Sequence, residues 1–194
     1  MDIELAFKEI LNEVHKDILK ALGWKKDGSN FRYYGEDGLC KIINFQKSRW
    51  NSNAECEFYI NMGIYIEKAD VLGNRTFKEY ECQLRKRTIT DGGSYKIFRD
   101  SDISLIKSRI CEIVSEEVME YMNTFSSKER FIEILLSDAA KQYSNQPVMH
   151  YGTCKLLIDM GYAKEVLPII KMKQGEYFEK LANEVELLLK EDTK

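Results

Sequence analysis

Leu39-Cys-Lys-Ile-Ile-Asn-Phe-Gln-Lys47, a polar connection, and then Cys56-Glu-Phe-Tyr-Ile-Asn-Met-Gly-Ile-Tyr-Ile66 are the runs on which the reading of this chain turns. In the second run Cys56, Phe58, Ile60, Met62, Ile64 and Ile66 fall on one side. Glu57, Tyr59, Asn61, Gly63, Tyr65 and Glu67 fall on the other. That period of two is the mark of a strand with one buried face. Together the runs predict a central hairpin, Leu39 to Lys47 against Cys56 to Ile66, joined by Ser48 to Glu55. If Phe45 faces Phe58, Ile43 faces Ile60 and Leu39 faces Ile64 on the buried side.

Working outward, Ile3, Phe7, Ile10, Leu11, Val14, Ile18 and Leu22 make one apolar stripe. The stripe predicts a helix started by Asp2 and stopped by Gly23. Short strands follow at Trp24 to Lys26 and Phe31 to Tyr34, separated by Asp27-Gly28-Ser29-Asn30 and Gly35-Glu36-Asp37-Gly38, sequences suited to tight turns. Beyond the hairpin, Lys68 to Tyr80 reads as a long loop with a helical turn. Glu81 to Ile89 and, after Asp91-Gly92-Gly93, Tyr95 to Arg99 read as further strands, so the sheet is an antiparallel meander of five or six strands. After Arg99 the period becomes helical. Ile103, Ile106, Ile110, Val114 (or Ile113), Val118 and Met122 form one long helix, and Ser126-Ser127-Lys128-Glu129 resembles a capping box opening another through Ala140. Asn145-Gln146-Pro147 breaks it. Three shorter helices are expected at Met149 to Met160, Ala163 to Lys171 and Gly175 to Lys190, with a frayed tail from Glu191 to Lys194. The fold class is α+β: an N-terminal helix, the sheet and a helical C-terminal third. Residues 1–125 would form the sheet domain with its flanking helices, and 126–194 a helical extension packed on it.

A chain of 194 residues buries roughly 70% of its unfolded surface on folding, so it needs neither disulfide nor metal to hold it. Its formal charge of −3 argues against binding nucleic acid by bulk electrostatics, which leaves only a local basic patch for that purpose. No segment approaches the roughly 18 uninterrupted apolar residues that cross a bilayer. Met1-Asp2-Ile3-Glu4-Leu5 lacks the features of a secretory signal. Cys40, Cys56, Cys82, Cys111 and Cys154 are odd in number and never form Cys-x-x-Cys, which points to a reducing cytoplasm.

Several strings carry a resemblance: Leu22-Gly23-Trp24-Lys25-Lys26, Ile43-Asn44-Phe45-Gln46-Lys47-Ser48, Asn61-Met62-Gly63-Ile64-Tyr65 and Cys82-Gln83-Leu84-Arg85-Lys86-Arg87. They are similar to a bacterial family catalogued as domain of unknown function 4304, over about the first two thirds of the chain. The family usually places an aromatic pair, often tryptophans, after its arginine-rich strand; Tyr95 and Phe98 stand there instead. The resemblance implies an α+β fold and a bacterial cytosolic origin. It supplies no catalytic residue.

Neither a Gly-x-x-x-x-Gly-Lys-Ser/Thr loop nor a Gly-x-Gly-x-x-Gly loop after a strand is present, so ATP or dinucleotide binding by those devices is excluded. His15 and His150 lie far apart in sequence. His15 reads as a half-exposed helical histidine. His150 stands four residues from Cys154, but no second Cys or His cluster completes a metal site, and a Cys–His nucleophile would need an exposed, activated thiol. No metal and no cofactor are expected. Glu57 is followed two residues on by Tyr59 rather than by the Lys of a restriction-nuclease-like site.

The constellation that remains lies opposite the buried face: Asn44 and Gln46; Tyr59, Asn61 and Tyr65; Gln83, Arg85 and Arg87. On neighbouring strands about 5 Å apart these would form one field of amides, phenols and guanidiniums. Gly63 leaves a gap in it where a ligand or another backbone can approach. Arginine with tyrosine recognises phosphates, carboxylates or stacked bases. The competing expectation is that the C-terminal helices partly cover this face and its polar groups bond among themselves or face water. Arg49 and Trp50 in the connection are a second candidate surface. The functional reading is a non-catalytic cytosolic binding module that takes a protein or anionic partner on the polar face. The alternative is a metal-independent enzyme on RNA or a phosphorylated substrate, with Arg85 and Arg87 on the phosphate and Tyr59 or Tyr65 as acid–base groups.

Overall fold

A computed structural model describes residues 1–67, 76–90 and 92–191. Residues 68–75 of the expected long loop, Asp91 of the expected turn and the tail beyond residue 191 lie outside them. The chain forms two compact units, Met1–Phe131 and Ile132–Lys194.

In the first unit, helix α1 (Ile3–Val14) starts where Asp2 accepts hydrogen bonds from the Glu4 and Leu5 amides. Ile3, Phe7, Ile10, Leu11 and Val14 are buried as expected. Beyond Val14 the stripe departs from expectation: Leu19 is buried and Leu22 is half-exposed. The cause is a π-turn at His15–Leu19, in which the Lys20 amide donates to the His15 carbonyl five residues back. The wider turn carries the buried position from Ile18 to Leu19.

Strands β1 (Lys25–Asp27), β2 (Asn30–Tyr34), β3 (Leu39–Lys47), β4 (Glu55–Ile66) and β5 (Leu84–Arg87) pair in order, all antiparallel. The sixth strand, β6 (Tyr95–Phe98), does not extend the sheet beyond β5. It pairs with the first residues of β4, so β5 and β6 share one edge of β4 end to end. The hairpin register also differs from the expected one. Phe45 opposes Ile60, Ile43 opposes Met62 and Leu39 opposes Ile66. The connection closes on Glu57: Asn51 both donates to and accepts from the Glu57 backbone (2.9 and 2.7 Å), and the Ser48 amide reaches the Glu57 carbonyl. A slip of two residues leaves every side chain on its expected face, because the strand repeats every two.

That first face is an aromatic core. Phe58 contacts Phe7, Phe45 and Tyr95, with ring centroids 5.2, 6.1 and 5.4 Å away. Helix α2 (Ile103–Ile113), a second π-turn (Val114–Val118) and α3 (Met119–Thr124) form the long helix expected after Arg99. Ile110, Val114, Val118 and Met122 are its buried residues on the expected stripe.

Helix α4 (Lys128–Leu136) opens with the Ser127 hydroxyl accepting from the Arg130 amide, and ends four residues before Ala140, where a 3-10 turn (Asp138–Tyr143) takes over. In the second unit α5 (Tyr151–Asp159), α6 (Ala163–Lys171) and α7 (Glu176–Glu191) are the three expected shorter helices. They bury Leu157, Val166, Ile170, Leu181 and Val185.

Candidate functional site

The second face of the sheet is crossed by rows of directly opposed residues. One row runs Asn30, Asn44, Asn61, Arg87 over β2, β3, β4 and β5. Its side chains bond in sequence: Asn44 donates to Asn30 (2.8 Å), Asn61 donates to Asn44 (3.1 Å), and Arg87 Nε donates to Asn61 Oδ1 (2.7 Å). Gln46, in the next row opposite Tyr59, accepts from Asn61 (2.9 Å) and from Arg87 Nη2 (3.3 Å). The Arg87 guanidinium is thereby held over the Tyr59 ring, its carbon 4.1 Å from the centroid. An exposed arginine is usually a flexible one. Here two amides and an aromatic face fix its plane, which removes much of the entropy cost of using it.

Around Tyr59 the face continues as balanced charge. Glu57 accepts from Ser94 Oγ (2.6 Å), and this bond, then one from Ser48, holds its carboxyl below the usual carboxylate range. Lys96 pairs with Glu55 (2.7 Å).

The other half of the same face is closed. The row Arg32, Ile42, Gly63, Arg85 marks the boundary. Beyond it Cys40, Ile42 and Tyr65 form a second core with Phe77 and Cys82, with Tyr34 packed against it. Phe77 stacks on Tyr65 at 4.7 Å and meets Tyr34 edge-on. The segment carrying Phe77 and Cys82 is clamped from both sides. Arg32, 4% exposed, donates to the Phe77 carbonyl (2.7 Å) and to Asp27 (2.9 Å). Arg85 binds both oxygens of Glu79 (2.8 and 3.2 Å), and that carboxylate raises the arginine's pKa. The gap at Gly63 is filled by Cys82, whose Sγ lies 2.5 Å from where a Cβ would stand. Neither a ligand nor another backbone, the two occupants expected there, takes the place; a side chain of the covering segment does.

The eight expected site residues therefore divide. Asn44, Gln46, Tyr59, Asn61 and Arg87 come together in one bonded cluster. Tyr65 is sealed in the second core and Arg85 is a clamp. Gln83 accepts from the Ile66 amide (2.8 Å), extending the sheet where β5 has not yet begun. The single field expected on the polar face is corrected to half its extent. Its cover comes from Phe77 to Cys82, a stretch too polar and irregular to read as a lid. Sequence reasoning also missed Asn30, which looks like an ordinary turn residue, and Arg32, which the alternation of β2 places on this face. Arg49 and Trp50 are exposed, with the guanidinium over the indole (5.8 Å); Trp50 is 83% exposed.

The remaining candidates lose their chemistry. His15 contacts the Trp24 carbonyl (3.1 Å) and stacks on Phe31. His150 caps α5 by accepting from the Thr153 amide, while Cys154 is buried with its thiol against the Met149 carbonyl and its pKa pushed up by desolvation. Among the described residues no cluster of three His, Cys, Asp or Glu side chains could hold a metal, and no helix is long and apolar enough to cross a membrane.

A family model described as Domain of unknown function (DUF4304) matches residues 15–124, which contain the whole bonded cluster. Neither the curated proteins nor the solved structures give a match.

Proposed function

Since the chain belongs to the DUF4304 family of domains of unknown function, whose description assigns no reaction, we propose that it is a non-catalytic binding module. Its contact surface is the open half of the sheet's second face, centred on Tyr59 and Arg87. The observation that carries this reading is the pre-organised Arg87: plane fixed by Asn61 and Gln46, stacked at 4.1 Å on Tyr59, and exposed to solvent. Tyrosine and arginine dominate the energetically important positions of protein interfaces, and rigidity before binding adds to their effect. The surrounding Glu55–Lys96 pair and the hydrogen-bonded Glu57 suit a protein partner with its own mixed charges better than a polyanion. All five cysteines are free, which supports a reducing cytosol as the setting.

The enzymatic alternative has less to work with. Arg87 and Tyr59 stay in the open cluster, but Arg85 would have to leave Glu79 to hold a phosphate, and Tyr65, 6% exposed, would have to act from inside the second core.

A photo-crosslinking amino acid at position 59 tests the reading in the producing cell, with the same probe at Leu105, exposed on α2, as control. A discrete adduct formed only from position 59, and reduced about tenfold by Arg87→Ala, is the expected result. An adduct indifferent to Arg87→Ala would overturn the proposal. So would turnover of RNA or nucleotides by the purified protein that Arg87→Ala abolishes.

A further inference from the structure

On the first face of the sheet, a cleft of about 350 Å³ lies between the end of the N-terminal helix, the sheet and α3. Tyr33 and Lys41 are direct cross-strand partners in its floor, and the Trp24 ring stands 5.8 Å from that of Tyr33. Met119 adds an apolar wall. Among the described residues Lys41 is the only charged one of the lining; Ile18, Leu22 and Trp24 give the cleft apolar walls, and Ser115 and Asn123 add uncharged polar edges.

The ammonium is positioned rather than loose. Nζ donates to the Met122 carbonyl (2.9 Å) in the last turn of α3, where helix carbonyls concentrate negative partial charge. It also stands 5.6 Å from the centre of the Tyr33 ring. An ammonium carries three donors, and among the described residues it donates one hydrogen bond, to the Met122 carbonyl. Partial burial lowers the Lys41 pKa, against the opposing charge of Asp37 outside the cleft; an anion beside the ammonium would relieve that cost.

The two π-turns among the described residues both border this cleft. The turn at His15–Leu19 contributes Ile18, and the turn at Val114–Val118 contributes Ser115. A π-turn inserts a residue into the α-helical repeat and frequently marks a functional position. Two separate helices making this departure where they border the same cleft is an observation independent of its chemistry.

We propose that this cleft is a binding site for a small apolar carboxylate, an aromatic or branched-chain acid. Its body lies among Trp24, Tyr33 and Met119, and its carboxylate meets Lys41 Nζ. The site is separate from the Tyr59–Arg87 surface and does not depend on it.

The chain has two tryptophans, and Trp50→Phe leaves Trp24 as the only one, reporting from the cleft wall. The probe is 2-naphthoate, compared with the neutral 2-naphthalenemethanol. Saturable quenching by the acid is expected, about tenfold weaker for the alcohol and for Lys41→Met, as loss of one charge-assisted bond implies. Ser115→Phe, a change at an exposed position on the rim, should abolish quenching while the far-UV spectrum is retained. No saturable quenching, equal affinity for acid and alcohol, or binding untouched by Ser115→Phe would each overturn the proposal. If Lys41→Met fails to fold, the acid–alcohol comparison and Ser115→Phe decide it.

Discussion

The two halves of the sheet's second face share the same strands and the same alternation, yet one is a sealed core and the other a solvent-facing hydrogen-bonded surface. In the sealed half, Tyr34, Cys40, Ile42 and Tyr65 offer apolar area, and Phe77 and Cys82 cover it. In the open half, Asn30, Asn44, Gln46 and Asn61 present amides that satisfy one another and position Arg87. The boundary is one row, where Gly63 lets Cys82 descend onto the sheet and Arg32 and Arg85 tie the covering segment down. Stability is therefore concentrated in the sealed half, and pre-organised exposed chemistry in the open one. A side chain's place in a polar alternation does not decide its use; what packs above it does.

The sharpest way to break this contrast is Phe77→Ala. Phe77 is fully buried and stacked on Tyr65, so its loss should destabilise the fold by about 3–5 kcal/mol in urea unfolding. A cost below about 1 kcal/mol would mean that the covering segment is not part of the core.

Gly63→Ala should cost about 1–3 kcal/mol, because the added methyl would meet Cys82 Sγ at 2.5 Å and Ile42 Cγ2 at 2.9 Å. Removing the first obstacle with Cys82→Ala should recover part of that loss, measured as a coupling energy between the two sites. Strict additivity would place Cys82 elsewhere.

Alkaline pH offers a third probe of the sealed half. Burial first, and then Glu67, push the Cys40 thiol up to about 12 from its ordinary 9.0; burial also raises Cys82. A thiol held protonated in the folded chain while the unfolded chain ionises lowers stability as pH rises. Its contribution is complete below pH 9 and is lost between 9 and about 12. The slope is about 1.4 kcal/mol per pH unit for each such thiol. Cys40→Ala should flatten the unfolding free energy across that window by one thiol's share, and an unchanged slope would refute the assignment.

The smallest effect belongs to the open half. Arg87→Ala removes an exposed side chain held by amides, and should change stability by no more than about 1 kcal/mol while impairing the proposed contact. A loss as large as that of Phe77→Ala would make Arg87 a structural residue.

Much of this was legible in advance. The alternation from Cys56 to Ile66 identified the buried face, and Asp2 and Gly23 marked where the first helical stretch begins and ends. The side facing Asn44 and Asn61 was readable too, because parity survives a two-residue slip in register. The slip itself was not, since it depends on Asn51 bonding the Glu57 backbone. Nor was the move from Ile18 to Leu19, because a π-turn leaves no mark in composition. Among the candidate site residues, Tyr59, Asn61 and Arg87 were recognisable as types on one face. That Arg85 would be taken by Glu79, and Tyr65 by Phe77, depends on contacts that no spacing of six or twelve residues announces.

Local pattern by itself determined the order and approximate place of the helices and strands, which strand face is apolar, and that the other carries amides, tyrosines and arginines. These follow from backbone periodicity and the free energy of burying apolar area, both of which act along the chain. Only the tertiary structure decided that β6 returns to β4, that half of the polar face is sealed, and that Arg87 rather than Arg85 is the exposed, oriented cation. Those outcomes depend on which distant segment fits a site in shape and charge, and sequence spacing does not encode that distance in space.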